Sequence, residues 1–541
     1  MTAALAQSRP DAGQVQREVE TPAAPLPSTG SGVTASPGSA PETLSAPAPA
    51  ANQPRFAVQT VRITGSAVFS EAQLLALIPD LVGSERTLAD LQKAAAAITR
   101  HYRQSGYLVA RAYLPAQKLE GGTVTIAVLE GKLSDIKVEN GSRLMNEKVQ
   151  AFLDQIEKGK PVRRESVDRP VLLLGDVPGV GQVDSRLAAG AEVGDSVLNV
   201  RVGADPAVAG RVELDNHGGL YTGRTRVGAQ VVGNSLLGYG ERFSGRLLTS
   251  NGGLLSGRGA VQAPLGSDGL TVSGGLSRTT YKLGDVFEEL DVQGRSNSLD
   301  LGLRYPLLRS SASNIYLSLN GERRDLRDEV RSTDTVTDKR AKALNLSLNG
   351  DWRDNLGGGG ITLASLTMTS GKLNIDSADA AELDAVAAKT AGSYSKWAWS
   401  LERQQAVARG VSFSASARGQ SASKNLDSSE KFSLGGPGGV RAYASGEASG
   451  DEGWLVSLEL RYAITEWLRA SVFHDTGKVK VNAKPYQDAP NTAKRSGTGL
   501  GLQGGWGDLD WSLTLAWRGS QEGKAEPDKK MRAWLQAGWR F

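Results

Sequence analysis

From Ala209 onward, apolar and polar residues alternate along the chain with a period of two. Leu344, Leu346 and Leu348 alternate with Asn345, Ser347 and Asn349. Trp454, Val456, Leu458, Leu460 and Tyr462 alternate with Leu455, Ser457, Glu459 and Arg461 in the same way, as do Leu509, Trp511, Leu513, Leu515 and Trp517 with Asp510, Ser512, Thr514 and Arg518. This period belongs to strands with one face against an apolar medium and the other against water. The region parses into sixteen strands. Short turns near 234–239, 265–268, 354–357, 408, 466 and 507 alternate with long polar connections near 281–291, 325–339, 372–391, 422–451, 476–494 and 519–531. An even strand count with short periplasmic turns and long external loops predicts a transmembrane β-barrel of antiparallel strands over 206–541. Sixteen strands enclose an aqueous lumen. In the last segment, 532–541, Ala533, Leu535, Ala537, Trp539 and Phe541 share the lipid face, and Arg532, Trp534, Gln536, Gly538 and Arg540 the other. Trp539 and Phe541 then fall at the membrane interface, where the aromatic end is expected to serve as an assembly signal.

Ahead of the barrel the period changes. Residues 56–63 read as a strand, Ser70 caps a helix carrying Leu74, Leu75 and Ile78, and Thr87 caps a second helix. Leu88, Leu91, Ala95, Ile98 and Tyr102 line one face of that second helix. Strands follow at 107–114 and 123–129. A unit of similar order comes next, with a strand at 134–138, helices at 148–156 and 164–174, and strands at 182–187 and 196–202. These are two small α+β domains, 55–131 and 132–205, each too small for a deep catalytic cleft. Residues 21–54 are rich in Pro, Ala and Ser and read as an extended linker. Before it, Ser8-Arg9-Pro10-Asp11 supplies the start signals of a short helix over 14–20. Residues 2–7 resemble the cleavage end of a secretory signal, so 1–20 is read as a signal remnant and a helix.

Composition narrows the chemistry. The 62 Lys and Arg nearly balance 58 Asp and Glu, which argues against nucleic acid as a partner. No run of eighteen apolar residues exists to form a membrane-spanning helix. The absence of cysteine excludes disulfides and thiolate metal sites. His101, His217 and His474 stand apart from clustered carboxylates, so surface roles are expected and no metal or cofactor is. Gly499, Gly501 and Gly504 match a dinucleotide-binding spacing but lie within a strand and open no helix. Ser421 and Lys424 match a nucleophile spacing whose companion motifs are missing. No enzyme is indicated.

Several motifs carry a resemblance over nearly the whole chain. The first α+β unit has Tyr102, Gly106 and Tyr107, then Leu114, Pro115 and Gln117, then Glu130-Gly131; the second has Leu172-Leu-Leu-Gly-Asp176 and Pro178-Gly179-Val180. Asp215-Asn216 and Thr222-Gly223-Arg224 stand at the first barrel strands. The connection 422–451 holds Ser429-Glu430-Lys431-Phe432, Leu434-Gly435-Gly436 and Gly439-Val440-Arg441-Ala442-Tyr443, with Gly450-Asp451-Glu452-Gly453 behind it; strand thirteen holds Phe473-His474-Asp475-Thr476-Gly477. The chain thus resembles the outer-membrane transporters of two-partner secretion, the haemolysin secretion/activation family. The resemblance implies two periplasmic POTRA (polypeptide-transport-associated) domains and a 16-stranded barrel that secretes an unfolded exoprotein to the cell surface. It also implies that 422–451 folds into the lumen, that Arg441 pairs with Asp475, and that the N-terminal helix is a plug. Alternation independently puts Phe473, Asp475 and Arg469 on the lumen face. Tyr102, Gly106, Tyr107, Arg111, Leu114, Pro115 and Gln117 are the expected partner-binding surface. Gly is usual where Ala442 stands, which predicts strain if that position needs positive φ. The expected partners are a large secreted exoprotein, outer-membrane lipid and lipopolysaccharide, and the barrel-assembly machinery during biogenesis. A rival reading is a barrel-assembly factor, which shares the inward loop and POTRA domains.

Overall fold

The computed structural model describes residues 9–20, 54–118, 120–519 and 530–541. The expected signal remnant, the Ser8 cap and the linker up to residue 53 lie outside them. The N-terminal helix is α1, Ala12–Glu20.

The first α+β unit contains β1 (Arg55–Val58), β2 (Thr60–Thr64), α2 (Glu71–Leu75), β3 (Ser84–Thr87), α3 (Leu88–Gln104), β4 (Arg111–Tyr113) and β5 (Thr123–Leu129). Ser70 and Thr87 cap their helices through complete capping boxes with Gln73 and Asp90. The expected strand at 56–63 is two strands, because the Gln59 amide donates away to the Gly122 carbonyl. The expected strand at 107–114 shrinks to three residues. Gly106 turns the chain at φ +91°, and Tyr107 bridges to Arg163 of the next unit instead of joining the sheet.

The second unit contains β6 (Lys132–Asn140), α4 (Asn146–Leu153), α5 (Arg164–Gly175), β7 (Val180–Ala189) and β8 (Asp195–Ala204), with sheet order β6-β8-β7. Backbone bonds tie the two units: Leu108 N–H to Val162 O at 3.2 Å, Val162 N–H to Gly131 O at 3.1 Å, and Arg164 N–H to Gly106 O at 2.9 Å. The second unit also rests on the barrel turns. Met145 N–H donates to Gly238 O at 2.9 Å, and Arg309 grips Asp176 through two bonds of 2.8 Å.

The barrel opens with β9 (Val208–Asp215), β10 (Arg226–Asn234), β11 (Arg242–Ser250), β12 (Leu255–Pro264) and β13 (Thr271–Lys282). The long strands β14 (Val292–Arg309), β15 (Ser313–Val330), β16 (Thr335–Asp354) and β17 (Gly360–Ile375) follow. After helix α6 (Ala378–Val386) come β18 (Gly392–Ala408) and β19 (Val411–Ala422). A short ribbon, β20 (Phe432–Ser433) and β21 (Ser449–Gly450), belongs to the following connection. The wall is completed by β22 (Glu452–Ala463), β23 (Leu468–Lys480), β24 (Thr492–Trp506), β25 (Leu509–Arg518) and β26 (Met531–Arg540). Its 16 antiparallel strands form a closed barrel, with β26 pairing back on β9. Leu344, Leu346, Leu348, Trp454 and Leu535 are exposed on the outer face, as their alternation predicts.

The closing seam is short. β26 and β9 pair over five positions, from Gln536↔Asp215 to Arg540↔Arg211. Beyond Asp215 the Asn216 side chain continues the ladder: its Nδ2 donates to Ala533 O at 3.0 Å and its Oδ1 accepts the Leu535 amide at 2.9 Å. Phe541 lies just past β26 and exchanges both backbone bonds with Gly210. Its ring covers Gly210, where a Cβ would come within 2.2 Å of it.

Candidate functional site in the barrel lumen

Two elements occupy the lumen, on opposite walls. Helix α1 lies against the inner faces of β13 to β15, where Ala12, Val15 and Val19 pack with Leu248, Tyr281, Leu326 and Val330. Its polar flank is satisfied by the wall. Ala12 N–H donates to Asp328 at 2.9 Å, and Gln16 bonds to Ser296 and Ser298. Lys339 bridges Asp11 at 3.2 Å and Asp427 at 2.8 Å, while Arg17 donates to the Lys431 carbonyl at 2.9 Å. The helix is therefore joined both to the wall and to the 422–451 connection.

That connection folds inward against β22 to β26. Leu434, Val440, Ala442 and Tyr443 form a buried cluster with Leu455, Phe473, Val479 and Ala516. At its centre the Arg441 guanidinium donates to both oxygens of Asp475, from Nε at 2.9 Å and Nη2 at 2.8 Å, and the Arg441 amide adds a third bond at 3.1 Å. Nη1 reaches Glu459 at 2.9 Å, and Nη2 also reaches Ser457 at 3.1 Å. Ser457 in turn donates to Asp475 at 2.7 Å. The Phe473 ring lies beneath the guanidinium, 3.3 Å from centroid to Cζ. A planar cation with a bidentate carboxylate, a second carboxylate and an aromatic floor has little freedom to rotate.

The alternation placed Ser457 and Glu459 on the inner face of β22, yet sequence reasoning did not connect them to Arg441. The signal was available, because Ser457 and Asp475 stand opposite each other across β22 and β23. Trp534 was placed inward by alternation but not connected to Arg441. It points inward from β26, 4 % exposed, and its indole Nε1 donates to the Arg441 carbonyl at 2.7 Å. The loop is thereby bonded to the barrel's last strand. His217, expected at the surface, is buried beside it with the rings edge to face, because β9 carries it inward past Asp215. His101 packs on Phe69, and His474 is exposed on the outer face, bonding Thr498.

The remaining loop residues have steric or electrostatic reasons. The Tyr443 ring sits between the Arg495 and Arg518 guanidiniums at 5.1 and 4.9 Å. A Cβ at Gly439 would meet the Leu434 carbonyl at 1.9 Å, and one at Gly477 would meet Leu434 at 2.7 Å. Val440 donates its amide to that same Leu434 carbonyl at 2.6 Å. The strain expected at Ala442 does not arise, because its φ is not positive and its methyl lies over Gly497; Ala448 is the left-handed non-glycine residue of this loop, at φ +56°.

In the first α+β unit the expected binding residues separate into two groups. Tyr102 is fully buried, its hydroxyl donating to Glu130 at 2.8 Å, so it belongs to the core and not to a surface. Burial holds its phenol up at about 12. Gly106 and Tyr107 form the joint to the second unit. Arg111 and Gln117 are exposed and Leu114 and Pro115 half-buried, with Tyr113 exposed between them. Backbone groups there are already engaged: the Ala112 amide donates to Thr99 Oγ1 at 2.9 Å, and the Gln117 side chain pairs with the Thr125 backbone at 2.7 and 2.8 Å.

Comparison with known proteins agrees with this architecture. Residues 194–504, more than half of the chain, match the family model described as haemolysin secretion/activation protein ShlB/FhaC/HecB, and 56–131 match the POTRA domain, ShlB-type. The heme/hemopexin transporter protein HuxB of Haemophilus influenzae is 30% identical over 440 residues, covering 80% of this chain and 77% of that one. The outer membrane transporter CdiB of Dickeya dadantii is 23% identical over 419 residues, covering 76% and 73%. Among solved structures, CdiB from Escherichia coli superposes with a TM-score of 0.73 at 20% identity, covering 98% of this chain and 96% of its own. BamA from Haemophilus ducreyi lacking POTRA domains 1-3 shares the fold at a TM-score of 0.51 and 13% identity, covering 90% of this chain and 100% of its own. The barrel lies in the outer membrane with its POTRA domains in the periplasm. The chain belongs to the haemolysin secretion/activation family, the outer-membrane transporters of two-partner secretion.

Proposed function

We propose that the structure is the resting state of a channel for an unfolded, large secreted exoprotein, with α1 as its plug and the 422–451 loop as the brace that holds the wall in shape. One observation carries this reading: α1 is seated largely by ion pairs and hydrogen bonds, which water and a passing polypeptide can replace, whereas the loop is fixed by a buried apolar cluster and by Arg441. Arg441, with Gly439, Val440, Tyr443, Phe473, Asp475 and Gly477 around it, sets the loop's position. The exposed rim of Arg111, Leu114, Pro115 and Gln117 is the proposed first contact for cargo, which would lie along the sheet as an added extended segment. Trp539 and Phe541 supply the terminal signal read by the barrel-assembly machinery, and outer-membrane lipid and lipopolysaccharide surround the wall. The assembly-factor alternative shares only the fold.

Replacing Arg441 by Ala tests this reading. Secreted exoprotein should fall sharply while the barrel still reaches the outer membrane, as followed by heat-dependent gel mobility. Wild-type secretion by this variant overturns the loop's role.

A further inference from the structure

The outer face of the long strands carries an arrangement that secretion does not use. On β16, Leu344, Leu346, Leu348 and Trp352 are exposed on the lipid side. From Leu344 to Trp352 the strand covers roughly 27 Å, or about 20 Å along the membrane normal at the usual tilt, close to the ~25 Å apolar band of such barrels. The next outward residue toward the cell surface is Lys342. The same step occurs on its neighbours. Arg323 follows Leu317, Leu319 and Gly321 on β15, and Lys372 follows Leu366, Met368 and Ser370 on β17. In the register of the sheet these three stand in one row, Arg323↔Lys342 and Lys342↔Lys372. At about 4.8 Å between strands, three cations fall within roughly 10 Å of one another at the outer limit of the hydrocarbon.

Like charges facing each other across strands are unfavourable, and the protein relieves this row only partly. Arg323 bonds to Asp325 at 3.1 Å, but that carboxylate also serves Arg340 of the next row up. Lys342 and Lys372 have no ion pair among the described residues, and both are exposed. The opposite rim of the same wall is balanced. There the outward Arg403 is held by both oxygens of Asp354, at 2.5 and 2.8 Å. At that rim the outward cation is therefore matched, whereas in the outer-leaflet row Lys342 and Lys372 are not.

We propose that Arg323, Lys342 and Lys372 form a docking site for the phosphorylated headgroup of an outer-leaflet glycolipid, lipid A. Its acyl chains would lie on the apolar side chains of β15 to β17 directly below, Leu317, Leu346 and Leu366 among them, and its phosphates would neutralise the row. Lys and Arg side chains suit this geometry, with their methylene stems on the apolar band and their charges at the interface. The site rests on the outer-membrane orientation of the barrel. It touches neither Arg441 nor the β26–β9 seam, so lipid binding and exoprotein secretion are separate readouts, and one can fail without the other.

The test uses the purified full chain and fluorescent lipid A in detergent micelles, with dephosphorylated lipid A and phosphatidylglycerol as comparison probes. The parent protein should prefer lipid A to both. The triple variant R323Q/K342Q/K372Q should weaken lipid A binding at least tenfold while keeping the heat-dependent gel shift of a folded barrel. The pair Lys478 and Lys494, outward on β23 and β24, provides the control: K478Q/K494Q should stay within twofold of the parent. Should the triple variant fail to fold, K372Q alone should weaken binding about threefold. The proposal is overturned if the triple variant binds within twofold of the parent, if phosphatidylglycerol binds as well as lipid A, or if the loss follows Lys478 and Lys494 instead.

Discussion

The two fillings of the lumen are held in unlike ways. Helix α1 buries three small apolar side chains, Ala12, Val15 and Val19, worth about 4 kcal/mol at most. Ordering its 9 residues costs at least as much in backbone entropy, so its seat depends on the polar bonds from Asp328, Ser298, Lys339 and the loop. The 422–451 loop is tethered at both ends and carries its own apolar cluster around Leu434 and Tyr443. The Arg441 guanidinium makes four side-chain bonds to one wall. One filling is marginal and separable, whereas the other is built into the barrel. This difference suits a plug and a brace.

The comparison can be broken in stages. The largest expected effect is that of Arg441→Ala, which leaves Asp475 buried without its cation while Glu459 keeps Arg461, a loss of about 3–5 kcal/mol locally. Exoprotein secretion should drop at least tenfold, and Arg441→Lys should restore little because a single ammonium cannot hold both carboxylates. Deleting residues 9–20 comes next: mean conductance in planar bilayers should rise severalfold with the barrel still folded, and an unchanged current would deny α1 the role of plug. Lys339→Ala removes the bridge between Asp11 and Asp427 and should give the same rise for a smaller share of the time, seen as more frequent open events. Trp534→Phe is the mildest, costing one hydrogen bond, about 1 kcal/mol. Its secretion should fall no more than about twofold, and a loss as deep as that of Arg441→Ala would mean that the seam, not the wall at Asp475, holds the loop.

The barrel was legible because its physics is written residue by residue. Leu344, Leu346 and Leu348 face lipid, and any strand that does so must alternate. Strand β5 was read with its true limits, Thr123–Leu129, for a related reason: Val124, Ile126 and Val128 alternate into a core. Alternation also gave the inward direction of Asp475 and Trp534. It could not say which inward residues meet across the lumen, since this depends on the path of a loop with little periodicity of its own. Arg441 was found through a motif, while Trp534 and Glu459, which carry none, were not. Tyr102 was misjudged because the helix face that the 3.6-residue period assigns to the core was also claimed by a motif, and burial prevailed.

The grip of Arg309 on Asp176 and the Met145 bond to Gly238 fix more than a distance. They attach the second POTRA domain beneath the turns that follow β10 and β14, the same sector of the ring whose inner wall seats α1. The periplasmic arm therefore has a set azimuth, like the feed tray of a press. A polypeptide handed up from it, as proposed, would reach the mouth under the helix, and the first obstacle it would meet is the one fastened most lightly.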